Sequence, residues 1–342
     1  MAWGLRRIGM AMLPLVGWAA LCITGYGQSE GPPVGRAASA TAAVSSPTPI
    51  GAASATTVSA AESPLPEVPT LMRAVETNQR AAEAVEKEYI YRSITTVQEL
   101  SGKGRVKKTV VTVSDHFWID GVPVRRVVSQ DGRELSAAEL AKENERIDKE
   151  AAKARARRER ADAEGKESDA YGNEEITVSR LLELGAFSNP RRVELNGRPT
   201  IAVDYTGDPR AKTRNAAERL ILEMTGTVWV DEQDRVLVRV DGRFVNSFKV
   251  GGGLLVDIRK GTRFSYEQTR VNGEVWLPAQ VDGEGSARVL LFVGFSGRIH
   301  AVESDYRKFR TSAEILPGMA KVPEAQAGVG AQPGASDPVH SR

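Results

Sequence analysis

The chain holds three histidines, His116, His300 and His340, and one cysteine, Cys22. Their spacing matches no HxH, HExxH or clustered Cys/His signature, so neither a metal site nor a cofactor is expected. Covalent catalysis needs a nucleophile held beside a base. Gly294-Phe295-Ser296-Gly297 resembles a serine elbow only superficially: the spacing departs from G-x-S-x-G, and the segment lies between predicted strands, where a hairpin turn is expected. Gly251-Gly252-Gly253 lacks the Lys-Ser/Thr of a phosphate loop and the spacing of a dinucleotide fingerprint. The three glycines read instead as a bulge or hinge that lets a loop move over a sheet. Asp231, Asp234, Asp241, Asp257 and Asp305 are scattered, and most flank turns, where aspartate bonds local backbone. No nucleophile, metal or paired-carboxylate pattern emerges, and the expectation is a protein that is not an enzyme.

The aromatic residues are more informative. Trp118, Phe187, Trp229, Phe244, Phe264, Tyr266, Trp276 and Phe292 are spread over predicted strands and an adjoining helix, and Leu254 and Leu255 follow the glycine run. Two readings stand. They form the core between sheet and helices, or they line an apolar cavity that an open sheet encloses around a ligand.

The elements that must position them are legible. Residues 71–87 place Leu71, Ala74, Val75, Ala82 and Val85 near helical spacing. Residues 89–100 and 105–118 alternate as two strands joined by a glycine-containing turn. Residues 136–165 are rich in Ala, Glu, Lys and Arg, and Ser136-Ala137-Ala138-Glu139 fits a capping box. This charged helix is either solvated and held by ion pairs, or a lid or an arm that docks a partner. Short helices are expected over 176–187 and 213–224, and a hairpin turns at Asn196-Gly197. From Gly226 to Phe309 successive strands follow, with Thr227 to Asp231, Arg235 to Val240 and Phe264 to Tyr266 alternating. The Asn272-Gly273 turn then leads into Glu274-Val275-Trp276-Leu277-Pro278.

The two ends differ in kind from this middle. Residues 1–27 have Arg6 and Arg7, an apolar run and small residues before Gln28, which is the pattern of a cleavable secretory signal; an uncleaved inner-membrane anchor is the alternative. Residues 28–66 and 313–342 are Ala/Ser/Pro/Gly-rich with few large apolar side chains, and disorder is expected there. Forty-six basic against 44 acidic residues leave a net charge of +2, so nucleic-acid binding is not indicated.

Helix, strand pair, helical excursion and consecutive strands, together with Gly226-Thr227-Val228-Trp229-Val230-Asp231 and Val271-Asn272-Gly273-Glu274-Val275-Trp276-Leu277-Pro278, resemble the LolA-like superfamily of periplasmic lipoprotein carriers. Asn189-Pro190-Arg191-Arg192 and Arg288-Val289-Leu290-Leu291-Phe292-Val293 are further segments of the resemblance, which spans residues 67–312. It implies an α+β fold: a curved antiparallel sheet forming an unclosed half-barrel with helices on its concave side, and 136–165 as a helical insertion. It also implies a periplasmic protein that binds a lipid or the acyl chain of a lipoprotein. An envelope sensor or scaffold that docks a protein partner through the charged helix is the alternative.

Overall fold

Strand-forming residues at period two dominate the chain, and in the computed structural model, which describes residues 64–289 and 293–308, they assemble into a single large sheet. Its strands are β1 (Tyr89–Leu100), β2 (Val106–Ile119), β3 (Val122–Gln130), β4 (Arg133–Glu134), β5 (Gly185–Leu195), β6 (Arg198–Gly207) and β7 (Met224–Asp231). They continue with β8 (Leu237–Phe244), β9 (Phe248–Val250), β10 (Val256–Ile258), β11 (Arg263–Val271), β12 (Val275–Val289) and β13 (Val293–Lys308). Four described helices accompany them: α1 (Val68–Glu86), α2 (Ala137–Ala163), α3 (Val178–Leu184) and α4 (Ala216–Leu222).

All pairings between these strands are antiparallel, in the order β4-β3-β2-β1-β13-β12-β11-β8-β7-β6-β5, with the β9–β10 hairpin branching from β12. The terminal strands β4 and β5 do not meet, so the curved sheet stays open, as expected for a half-barrel. Neighbours in sequence pair through tight turns. Asn196 and Gly197 (φ 52° and 76°) and Asn272 and Gly273 (φ 51° and 71°) take the paired positive φ angles of a two-residue hairpin. Three pairings join strands that are not neighbours in sequence: β8 with β11, β10 with β12, and β1 with β13, which joins the first strand to the last over ten paired positions.

One face of the sheet carries the main core. Helices α1, α3 and α4 bring Leu71, Val75, Leu184, Leu220 and Ile221 against Ile201, Val203, Val228, Val240 and Phe244 of β6, β7 and β8. Most of these side chains are under 3 % exposed, and burying each stabilises the fold by about 1.5–3 kcal/mol. Helix α1 reaches from β5 to β12 on this face. The face covered by helices is called the inner face below.

Helix α2 is neither free nor fully solvated. Its capping box forms as expected, with Ser136 and Glu139 bonding reciprocally. Ile147, Ala151 and Ala154 make a buried seam, and the helix packs on β3. Where β4 ends, the free edge of β3 is satisfied by helix side chains instead of a strand. The Val127 N–H donates to Glu143 (2.9 Å), Arg146 donates to the Arg125 carbonyl (2.7 Å), and Arg158 donates to the Asp120 and Gly121 carbonyls. The charged composition thus has a structural use: it covers a sheet edge that would otherwise invite pairing with another chain.

Several sequence expectations need correcting. The helix expected over 176–187 ends at Leu184; Gly185 is extended (φ −169°), and Phe187 lies on β5. Gly294-Phe295-Ser296-Gly297 is not a turn: these residues lie within β13 and pair with Arg288, Ala287, Ser286 and Gly285 of β12. The glycine run, read as a bulge or hinge, is a 3-10 corner joining β9 to β10, with Gly251, Gly252 and Gly253 at φ 60°, 65° and 92°. Strand β3 was not anticipated, although Asp120-Gly121 and Asp131-Gly132 at its ends have the turn chemistry that marks hairpins. The signal, most of the Ala/Ser/Pro-rich leader, the tail and Phe292 lie outside the described residues.

Candidate functional site

The nine described aromatic and leucine candidates do not share one cavity. Phe244 and Phe264 are 4 % and 8 % exposed in the core beneath the helices, and Phe187 packs against that core with its ring 5.0 Å from Tyr205. Tyr266 sits in a smaller inner-face cluster with Val281 and Ala301. Trp229 and Trp276 belong to the opposite face, where Arg239 and Arg198 lie over their rings at 5.2 and 5.4 Å. Trp276 also donates to Asp234 (2.9 Å). Trp118 is partly buried under Lys87, 5.5 Å from the ring centroid. Leu254 and Leu255 are exposed on the hairpin corner.

A different constellation stands on the inner face of β13, β1 and β2. Strand register sets it. Ser93 is directly opposite Glu303 on one side and Ser114 on the other; Tyr91 is opposite His116, which is opposite Arg125 of β3. Directly opposed residues share a face with Cβ atoms about 5 Å apart. The Tyr91 and His116 rings stack (4.9 Å, 10° between planes), and Tyr306 lies 5.9 Å from Tyr91. Ser93, Ser114 and Glu303 are buried, whereas Tyr91, His116 and Tyr306 are only partly so. Three buried polar atoms here have no hydrogen-bond partner: Ser114 Oγ, His116 Nε2 and Glu303 Oε2. Buried polar atoms are normally paired, so three orphans in two adjacent rows mark this place.

Burial also sets its charge. It pushes the Glu303 carboxyl up to about 8, against smaller opposing effects of a Ser93 hydrogen bond and the Arg125 charge. Burial, then the Arg125 charge, pulls His116 down to about 3. At neutral pH both groups are therefore uncharged. The sign of the linkage is definite. Folded Glu303 holds its proton up to a higher pH than the unfolded carboxyl near 4.5, so its contribution is intact below 4.5 and is lost as pH rises towards 8. Glu303→Gln keeps the shape and removes the titration. Denaturant titrations should show it gaining stability relative to the parent progressively from pH 5 to pH 8; a gap independent of pH would show that the carboxyl is already ionised in the fold.

The opposite face holds a polar groove of about 1150 Å³ that runs from β5 across to β1. Its carboxylates are mutually compensated: Arg239 grips Asp241 (3.1 and 3.0 Å), Ser265 donates to Asp241 (2.6 Å), His300 pairs with Asp282 (2.7 Å), and Arg263 and Arg298 meet at Glu284. Ion pairs this exposed contribute little stability. Asp231 does serve its turn, accepting the N–H groups of Gln233 and Asp234 and two bonds from Arg198, but Asp241 lies within β8 and not at a turn. Among the described residues, no group of three or more His, Cys, Asp or Glu is placed to hold a metal ion, and no helix is long and apolar enough to cross a membrane.

Sequence reasoning missed the inner-face rows because their members are ordinary strand residues; only the β1–β13 register, invisible locally, places Glu303 beside Ser93. No protein-family model matches the chain, and no curated protein matches it. Among solved structures, it is similar to an outer membrane lipoprotein-sorting protein domain from Vibrio parahaemolyticus (9 % identity, 71 % of this chain and 95 % of that one, TM-score 0.32). It is also similar to a LolA superfamily protein from Nitrosomonas europaea (10 %, 71 % and 94 %, TM-score 0.23). A third likeness is to a chain of the Pseudomonas aeruginosa MucA/MucB complex (11 %, 67 % and 93 %, TM-score 0.20). Superpositions this loose do not carry function; the unclosed sheet with its helices stands on the strand order and packing described above.

Proposed function

We propose that this chain is an exported, non-enzymatic binding protein that takes a hydrophobic ligand, a lipid or the acyl chain of a lipoprotein, between its inner sheet face and the helices that cover it. The observation that carries this reading is the nature of the cover. The apolar face of β6, β7, β8 and β11 lies under three separate helices, two of them only seven residues long, and not under a second sheet. Short helices are poor folds by themselves and are held by packing. Their displacement uncovers a continuous apolar surface that includes Phe187, Tyr205, Phe244 and Phe264. An acyl chain that replaces them regains about 0.8 kcal/mol per buried methylene. The core beneath the helices is closely packed, so uptake requires movement of α3 and α4.

The test is native mass spectrometry of the mature protein recovered from its own periplasm, followed by organic extraction. A stoichiometric lipid is expected. A clean apo mass, with no uptake of added lipid or acylated peptide, would remove the ligand reading and leave the aromatic residues as plain core.

A further inference from the structure

The proposed function leaves the polar rows of β13, β1 and β2 unused, and their chemistry suggests the other half of the same ligand. We propose that Glu303, Ser93 and Ser114, with Tyr91, His116 and Tyr306 as the wall, form a subsite for the uncharged, hydrogen-bonding head of an acyl ligand, a group with ester carbonyl and hydroxyl such as an acylglycerol. The inference rests on the acyl-binding reading above.

Three observations converge. The orphan atoms Ser114 Oγ and His116 Nε2 on β2 and Glu303 Oε2 on β13 flank β1 on its two sides, and both Ser114 and Glu303 are more than nine-tenths buried. Strand spacing of about 4.8 Å puts the two outer strands roughly 10 Å apart, the reach of a glycerol ester. Tyr91, His116 and Tyr306, which wall these atoms, are less buried than Ser114 and Glu303.

The second observation is charge. Glu303 with its proton offers both a donor and an acceptor, a serine hydroxyl offers both, and a neutral imidazole nitrogen is one or the other. The ionic groups nearby are opposed: Arg125 faces His116 from β3, and Glu86 acts on Tyr91 from the last turn of α1. A head group without net charge suits that balance.

The third is continuity. From Glu303 the inner face passes two residues along β13 to Ala301, across to Val281 of β12, across again to Tyr266 of β11, and two residues on to Phe264 beneath the helices. An apolar strip thus runs from the polar rows to the main core, with the head at one end and the chain towards the other.

Calorimetric titration of the mature protein with monopalmitoylglycerol, palmitate and dodecane separates the possibilities, with Ser114→Ala, Glu303→Leu and Glu303→Gln as variants. Far-ultraviolet circular dichroism confirms that each is folded. Monopalmitoylglycerol should bind best to the parent and lose about tenfold with Ser114→Ala and with Glu303→Leu, the scale of one hydrogen bond. Glu303→Gln, which keeps a donor and an acceptor, should stay within about threefold. Dodecane should not distinguish parent from variants. Unchanged glyceride affinity in both Ser114→Ala and Glu303→Leu, or tighter binding of palmitate than of the glyceride, overturns the subsite and leaves the acyl reading standing. Failure of all three probes to bind the parent overturns both.

Discussion

Replacing Arg180 by methionine should lower stability by about 3–5 kcal/mol, read from guanidinium unfolding, because it strands a buried carboxylate. Glu218 of α4 is 2 % exposed and takes two bonds from Arg180, both 2.8 Å, and one from the Arg214 N–H. Arg180 also donates to the Lys212 carbonyl. This network ties α3 to α4, the two short helices over the core. Removing both charges in Arg180→Met, Glu218→Leu should recover most of the loss, since paired charges of this kind are close to neutral against an apolar pair. Acid provides a second check. The Arg180 hydrogen bonds hold the Glu218 carboxyl below its usual range, opposed by burial. Its contribution is therefore present above the unfolded value near 4.5 and fades as pH falls through the lower folded value. The deficit of Arg180→Met should narrow over that acid range. A loss under about 1 kcal/mol would place the pair among solvent-shared surface pairs and free the two helices from one another.

Phe244→Ala should cost about 3–5 kcal/mol, the usual penalty for emptying a packed aromatic site. The ring is 4 % exposed among the side chains of the main core, where α3 and α4 meet the sheet. The measurement separates two roles the composition leaves open. A residue that only lines a ligand space leaves unfolding almost unchanged and lowers affinity; a core residue does the reverse in the ligand-free protein. If the helices move aside for an acyl chain, the same substitution should lower stability and also ease their displacement, so the rate of lipid uptake should rise as stability falls. A stable variant with slower uptake would argue that the ring already faces an open space.

Much of the architecture is local and therefore readable. Period-two alternation sets β1 and β2 within a residue or two of the expected bounds, and α1 follows its helical spacing. The Asn196-Gly197 and Asn272-Gly273 pairs adopt the positive φ angles that only a few residue types take cheaply. The capping box at Ser136 places the start of α2. These features depend on neighbours a few residues apart, and side-chain chemistry acts at that range without knowing the rest of the fold. The same logic marks where reading stopped short: the Asp-Gly turns around β3 carry an equally local signal, so that strand was within reach.

What could not be read from the chain is whatever depends on residues far apart meeting. The pairing of β1 with β13 brings Ser93 to Glu303 across 210 positions, and only that pairing turns an ordinary strand glutamate into a buried, protonated group beside unpartnered atoms. The division of the aromatics follows from which sheet face each side chain takes and what covers it: Phe244 and Phe264 fall under helices, Trp229 and Trp276 under arginines on the other side. The use of α2 was hidden for the same reason. Its charges look like a solvated or partner-seeking surface until the free edge of β3 lies alongside, where the Val127 N–H donates to Glu143, the Arg125 carbonyl accepts from Arg146, and the Gly121 carbonyl of the preceding turn accepts from Arg158. Residue types and spacing establish the elements and their turns; the buried site, the closed core and the covered edge come from long-range register and packing, which no window of the sequence contains.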